Sequence, residues 1–176
     1  MGPVIVRDAT EEDASACAAI YAPYVAETSV SFEVEPPTPD QMALRIEQAR
    51  KRHAWLVLEI DGRVAGYAYG HPFAERAAYR WSCEVSIYLE RVRHRSGGGR
   101  LLYETLLARL ADRGYRRAMA GMTLPNDASV RFHRALGFEP VGVYHRAGWK
   151  NGALHDVAWV QKTILDAHDP RPNRAD

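Results

Sequence analysis

Apolar and polar residues alternate from Trp81 to Leu89. Trp81, Cys83, Val85, Ile87 and Leu89 share one side, and Ser82, Glu84, Ser86 and Tyr88 share the other. A period of two predicts a β-strand with one apolar and one polar face. Beyond a glycine cluster the period changes. Leu102, Leu106 and Leu110, with Tyr103 and Leu107 beside them, repeat at helical spacing up to Gly114. Between the two lies Arg95-Ser96-Gly97-Gly98-Gly99-Arg100, so the predicted unit is strand, glycine turn, helix.

The rest of the chain reads in the same way. Val4 to Arg7 is a short strand. Thr10 starts a helix that runs to about Val25, with Glu11, Glu12 and Asp13 in its first turn, where negative charge suits the helix dipole. Pro23 falls near its end, where it is expected to bend or stop it. Thr28 to Phe32 is a polar-aromatic loop, and Pro36, Pro37 and Pro39 punctuate the connection to a second helix, Asp40 to Arg52. Ala54 to Ile60 and Val64 to Gly70, joined through Asp61-Gly62-Arg63, predict a β-hairpin, because Asp-Gly favours a primed turn. His71 to Arg80 is an irregular loop. Arg117 to Thr123 is a strand, and Asp127 to Leu136 is a helix ended by Gly137. Phe138 to Arg146 and Leu154 to Thr163 close the sheet. The pattern predicts one α/β domain over residues 1–166 with a mixed sheet, and a polar tail over 167–176 that is expected to be mobile.

Composition narrows the function classes. The chain has 176 residues, 47% hydrophobic and 26% charged, with a net charge of +1. One ordinary globular domain is expected, and nothing points to a nucleic-acid or membrane partner. The opening Met1-Gly2-Pro3 lacks the charged and apolar regions of a signal peptide, and the cysteines Cys17 and Cys83 make no disulfide framework. A cytoplasmic enzyme is expected. Basic residues do cluster at Arg91, Arg93, His94, Arg95 and Arg100, around the glycines. The first amides of a helix lack intrahelical partners and have the positive dipole end behind them, so this turn suits a phosphate or pyrophosphate. A plain tight turn is the alternative. Neither a Gly-Lys-Ser/Thr phosphate loop nor Gly-x-Gly-x-x-Gly is present.

At His94-Arg95-Ser96-Gly97-Gly98-Gly99 the chain resembles the GNAT N-acetyltransferase superfamily, whose pyrophosphate loop reads Gln/Arg-x-x-Gly-x-Gly/Ala. His94 departs from that pattern. A second block, Asn126-Asp127-Ala128-Ser129-Val130-Arg131-Phe132-His133 followed by Leu136-Gly137-Phe138, is similar as well. Within the superfamily the phosphinothricin N-acetyltransferase branch is resembled most. Phe32-Glu33, Gly66-Tyr67-Ala68-Tyr69, Arg76-Ala77-Ala78-Tyr79 and Gly148-Trp149-Lys150 contribute, and the likeness runs from about Val4 to Ile164. It implies a central, twisted, mostly antiparallel sheet flanked by about four helices, two strands of which splay to admit acetyl-CoA. It also implies a homodimer, no metal, and a small amino acid or analogue as acceptor, of the phosphinothricin, methionine sulfoximine or methionine sulfone type. The alternatives are another amine, or a CoA-binding module without catalysis.

Acetyl transfer to an amine needs a base for the ammonium proton, a donor for the thioester oxygen and a way for the thiolate to leave. Glu84, mid-strand on the polar face, is the candidate base; a solvent-facing glutamate is the alternative. Where the strands splay, the backbone of Ile87, Tyr88 and Leu89 is expected to meet the cofactor. Arg95, Ser96, Gly97, Gly98, Gly99 and Arg100 are expected to hold its diphosphate. Asn126 can serve the pantetheine amides or cap a helix, with Ser129 a second polar contact. His133 stands where many relatives carry a tyrosine acid. It is a candidate acid for the thiolate or a surface histidine. Cys83 alternates onto the apolar side, so a packed thiol is expected rather than a covalent acetyl-cysteine. Phe32, Phe73, Arg76, Tyr79 and Arg80 are the acceptor candidates, because a guanidinium pairs with carboxylate or phosphinate inside an aromatic frame. Lys150, His155 and Asp156 lie in the branch's C-terminal block, where Gly152-Ala153-Leu154 departs from its Gly-x-Trp.

Overall fold

In the computed structural model, which describes residues 3–91 and 97–166, strand β1 (Val4–Asp8) leads through a short 3-10 turn (Glu11–Asp13) into helix α1 (Ala14–Glu27). The Thr10 backbone N–H donates to Asp13 Oδ2 at 2.8 Å, the reciprocal bond of a capping box. Asp13 also accepts both terminal nitrogens of Arg7 at 2.8 Å each, which ties β1 to the helix start. Pro23 lies inside α1 and does not stop it. Tyr21 and Val25 are buried on either side of it, and the Tyr24 hydroxyl donates to Leu89 O at 2.6 Å. Tertiary contacts thus carry the last turn past the missing hydrogen bond.

Helix α2 (Pro39–Arg52) begins at Pro39 rather than Asp40, because Thr38 and Gln41 form a capping box and proline suits the first helical position. Strands β2 (Trp55–Ile60) and β3 (Arg63–Pro72) make the expected hairpin, with Asp61 and Gly62 at φ 54° and 75°. β3 extends into the stretch predicted as irregular loop, and a 3-10 turn at Ala77–Tyr79 follows. β4 (Ser82–Leu89), α3 (Gly98–Asp112), β5 (Arg117–Thr123) and α4 (Asp127–Ala135) come next. The last two strands are longer than the pattern predicts. β6 (Glu139–Lys150) and β7 (Ala153–Thr163) form one hairpin. A shift in register between Tyr144 and Gly148 breaks the alternation there. Asn151-Gly152, with φ 51° and 75°, makes the turn between β6 and β7. The tail, 167–176, lies outside the described residues.

The seven strands form one sheet in the order β1-β2-β3-β4-β5-β7-β6. Every neighbouring pair is antiparallel except β4 and β5. With four α-helices among the described residues, this is the mixed, mostly antiparallel α/β architecture expected. Each face of the sheet has a core. Leu56, Leu58, Cys83 and Val85 pack with Leu102, Tyr103, Leu106 and Leu110 of α3. Trp55, Val57 and Tyr67 pack with Tyr21 and Val25 of α1 and Met42 and Ile46 of α2. The "polar" side of β4 therefore does not simply face water. Tyr88 lies edge-on to Tyr21 and Tyr24, with ring centroids 4.7 and 5.3 Å away. Among the described residues no helix is long and apolar enough to cross a membrane. No group of three or more His, Cys, Asp or Glu there is placed to hold a metal ion.

Candidate active site

β4 and β5 stay together only briefly. Ser82 pairs with Arg117, Cys83 with Ala118 and Glu84 with Met119, and there the ladder ends. Beyond that point β4 remains paired with β3 as far as Leu89, and β5 with β7 as far as Thr123. The two strands part, and a cleft opens between them, lined by Ile87, Tyr88, Gly121, Asn126, Ser129 and His133 among others. The backbone edge of β4 that faces this cleft can be derived. Glu90 N–H donates to Ala65 O of β3 at 2.9 Å. Alternation along an antiparallel pair then turns Ile87 and Leu89 N–H and C=O away from β3, toward the cleft, and turns those of Tyr88 toward β3. Of the three expected backbone contacts, Ile87 and Leu89 have the required direction. Tyr88 offers the cleft no ladder group.

Helix α3 starts at the same end. Gly97 has φ 74°, and a Cβ there would meet nothing within 4 Å. Gly98 and Gly99 serve another purpose than baring the backbone to a ligand. A Cβ on Gly98 would stand 2.7 Å from Leu58 Cδ2, and one on Gly99 2.8 Å from Leu89 Cδ1. Their small size seats the helix start on β2 and β4. Among the described residues the first intrahelical acceptor is Gly97 O, reached by Arg100 N at 3.2 Å; the first amides of a helix have no partner within it. Arg100 Nε is 2.9 Å from Glu104 Oε1, an exposed ion pair. Arg95 and Ser96, expected at this loop, lie outside the described residues, as does His94.

Glu84 occupies the last paired position, at the apex of the cleft. Its side chain is 26% exposed, and His71 Nε2 lies 3.8 Å from Oε2. Burial raises the carboxyl above the ordinary glutamate range, and the charge of His71 opposes this. Cys83, on the opposite face, is buried, donates to Arg117 O at 3.6 Å and is pushed up to about 12 by burial. Such a thiol stays protonated and is no nucleophile.

On the β5 side, Asn126 Oδ1 accepts from Ser129 N at 3.1 Å. It caps α4 and keeps its amide nitrogen as a donor. His133 is not a surface histidine: it is 4% exposed. Nδ1 is 2.9 Å from Ser129 O, and Nε2 is 3.0 Å from the Tyr103 hydroxyl. A carbonyl only accepts, so Nδ1 carries the proton and Nε2 accepts from Tyr103. Both ring nitrogens are engaged. Burial lowers its proton affinity, which the Ser129 carbonyl partly restores.

The acceptor candidates are not drawn into one pocket. Phe73 meets Tyr79 and Trp159 edge-on, with centroids 5.6 and 6.0 Å away. Arg80 stacks over Trp81 at 5.3 Å. Phe32 packs against Gly148, where a Cβ would meet its ring at 2.2 Å, and lies 6.3 Å from His155. Arg76 is exposed at the start of the 3-10 turn. Lys150 is not a surface charge. It is 7% exposed, and its ammonium donates to Val25 O at 2.7 Å and Ser31 O at 2.5 Å, fastening β6 to the loop that carries Phe32. His155 Nε2 lies 3.0 Å from Lys150 O, and Asp156 accepts from Arg146 N at 2.7 Å. Sequence reasoning does not single out His71 or Tyr103. A loop separates β3 from β4, so their register is not legible. Tyr103 looks like one more apolar residue of α3.

The chain has known relatives. The acetyltransferase (GNAT) domain family matches residues 6–159. A phosphinothricin N-acetyltransferase of Streptomyces viridochromogenes is 39% identical over 172 residues, which cover 98% of this chain and 94% of that protein. An L-methionine sulfoximine/L-methionine sulfone acetyltransferase of Pseudomonas paraeruginosa is 30% identical over 164 residues, 90% of this chain and 94% of that protein. The solved phosphinothricin acetyltransferase of Sinorhizobium meliloti, in complex with AcCoA, superposes with a TM-score of 0.91 at 32% identity, covering 98% of this chain and 94% of that one.

Proposed function

This chain belongs to the GNAT acetyltransferase family, and on that premise we propose that it moves the acetyl group of acetyl-CoA to the α-amine of a small amino acid or analogue. The acceptor class is that of its relatives: phosphinothricin, methionine sulfoximine or methionine sulfone. The observation that carries the reading is the parting of β4 from β5 directly after Glu84 and Met119, which opens a cleft next to the residue read as the base.

The residues present suit acetyl-CoA. The free amides at the start of α3, with Arg95, Ser96 and Arg100, receive the diphosphate. Ile87 and Leu89 offer backbone groups to the pantetheine arm, and one of these N–H groups serves the thioester oxygen as its charge develops. Asn126 and Ser129 face the same cleft. Bound there, the thioester supplies an activated acyl carbon with a thiolate leaving group. Glu84 removes one proton from the acceptor's ammonium and frees the lone pair that attacks. The attacked nitrogen then sheds a second proton to the departing sulfur, which has an intrinsic pKa near ~8.5. In this reading the acid role of His133 is not needed, and its ring holds Ser129 and Tyr103 in place. Cys83 is buried and protonated, which supports direct transfer over an acetyl-cysteine. Of the acceptor candidates, Phe73 and Tyr79, in ring contact, with Arg76 at the start of the same 3-10 turn, are the group read as recognising the acceptor and its carboxylate.

The protein is read as a cytoplasmic homodimer. Val141, Val143, Tyr144, Trp149 and Leu154 on β6 and β7 are 60%, 43%, 65%, 69% and 42% exposed, an apolar band that suits a second copy. Two measurements test the central reading. Acetyl-CoA at about a hundred times its Kd stabilises by about 2.7 kcal/mol, a rise of roughly 5–10 °C in Tm for a chain of this size. No rise discards the cofactor site. Thiol release with methionine sulfone and phosphinothricin is expected to exceed that with polyamines or peptide N-termini. The reverse order discards the acceptor class.

A further inference from the structure

Glu84 has a neighbour to which the scheme above gives no part. His71 of β3 sits directly opposite it in the antiparallel register, with Nε2 3.8 Å from Oε2. That gap is one small rotation, or one water, from a hydrogen bond. The other ring nitrogen, Nδ1, is 3.2 Å from Pro72 O. A carbonyl oxygen only accepts, so Nδ1 holds a proton in either charge state of the ring, and Nε2, the nitrogen that gains or loses the second proton, is the one that faces Glu84.

The surroundings give this pair a direction. The His71 side chain is 37% exposed against 26% for Glu84, and it lines a groove between α2 and β3. That groove and the β4–β5 cleft share no lining residue. The groups facing His71 are Glu84 from β4, the Tyr69 ring 5.7 Å away on β3, and Arg45, Arg52 and His53 across the groove. Arg45 is occupied by Glu33, in contacts of 2.7 and 2.9 Å. In the reading above the acyl donor lies in the cleft, which leaves the separate groove beside His71 to water.

We propose that His71 is the proton outlet of the general base. Glu84 takes a proton from the acceptor's ammonium and hands it to His71 Nε2. The carboxyl O–H bond breaks, an imidazole N–H bond forms, and the imidazolium gives that proton to water in the groove. Glu84 is thereby a carboxylate again before the product leaves. No electrons change hands and no co-reactant is needed. His71 touches no substrate; it acts through Glu84, and the inference rests on Glu84 being the base.

The test uses the full chain with saturating acetyl-CoA and methionine sulfone. His71→Asn and His71→Gln are expected to lower kcat roughly tenfold, a small share of what acid–base catalysis supplies. The KM for acetyl-CoA and the Tm rise with acetyl-CoA should stay unchanged. Added imidazole should restore the variants and leave the parent chain unaffected. Glu84→Gln should cost at least as much, and adding His71→Asn to it should cost nothing further, since the two act in series. If the His71 variants keep the parent's kcat and pH profile while Glu84→Gln is impaired, the outlet is rejected and the base stands. If Glu84→Gln keeps the parent's kcat, the base is rejected and the outlet with it. A loss of both kcat and acetyl-CoA affinity in the His71 variants, without imidazole rescue, would mean a structural role and also overturns the proposal.

Discussion

His53 shows how one buried side chain writes a pH dependence into the molecule. It closes α2, is 5% exposed and stacks on Tyr115 with centroids 4.8 Å apart. Burial, with His71, Arg113 and Arg52 nearby, lowers its pKa to about 4. The folded value lies below the unfolded one, near ~6.5, so the unfolded chain binds the extra proton. The stability this contributes is complete above ~6.5 and is lost as the pH falls toward about 4. Across that window the loss is on the order of 3 kcal/mol. His53→Gln should flatten this slope in urea titrations from near neutral to acid pH; an unchanged slope assigns it to other groups. Glu84 has the opposite sign. Its carboxyl is raised, so holding it ionised at neutral pH costs stability, a cost consistent with a site set up for proton transfer rather than for folding.

At the scale of elements, the start of α3 depends on a missing side chain. Leu58 is 2% exposed and packed in the core, and a methyl at position 98 would meet its Cδ2 at 2.7 Å. Gly98→Ala should therefore cost roughly 1–3 kcal/mol by overpacking and should weaken acetyl-CoA, because the helix start shifts off the sheet. Gly97→Ala is the contrast. It meets no atom within 4 Å, and its penalty comes from φ 74° alone, about 1–2 kcal/mol. Thermal melts with and without acetyl-CoA separate the two. Equal loss of affinity in both would mean that the turn's conformation, and not the seating of the helix, sets the site.

For the whole molecule, the sheet carries one core on each face, and the β6–β7 hairpin extends its far edge. β6 is exposed along nearly its whole length, and Trp149, at 69% exposure, is the most exposed tryptophan-sized surface on it. An edge strand with an apolar band is a place where a second chain can settle. Trp149→Glu together with Val143→Glu should convert a dimer to a monomer in sedimentation at micromolar concentration, with Tm changed little. A parent chain that already sediments as a monomer removes the homodimer.

Local rules determined much of this in the sequence alone. The turn chemistry of Asp61-Gly62, the acidic first turn after Thr10, the period change across the glycines and the capping position of Asn126 are legible because each depends on residues within a few positions of one another. The elements they predict are present, with shifted ends. The tertiary structure decided what depends on long-range pairing. It placed His71 opposite Glu84, buried His133 on Tyr103, turned Gly98 and Gly99 toward leucines, drew Lys150 inside, and carried α1 past Pro23. It also ended the β4–β5 ladder after Glu84. Each of these joins residues far apart in the chain, and a period of two or of 3.6 reports only which way a side chain points from its own backbone, not what stands across from it.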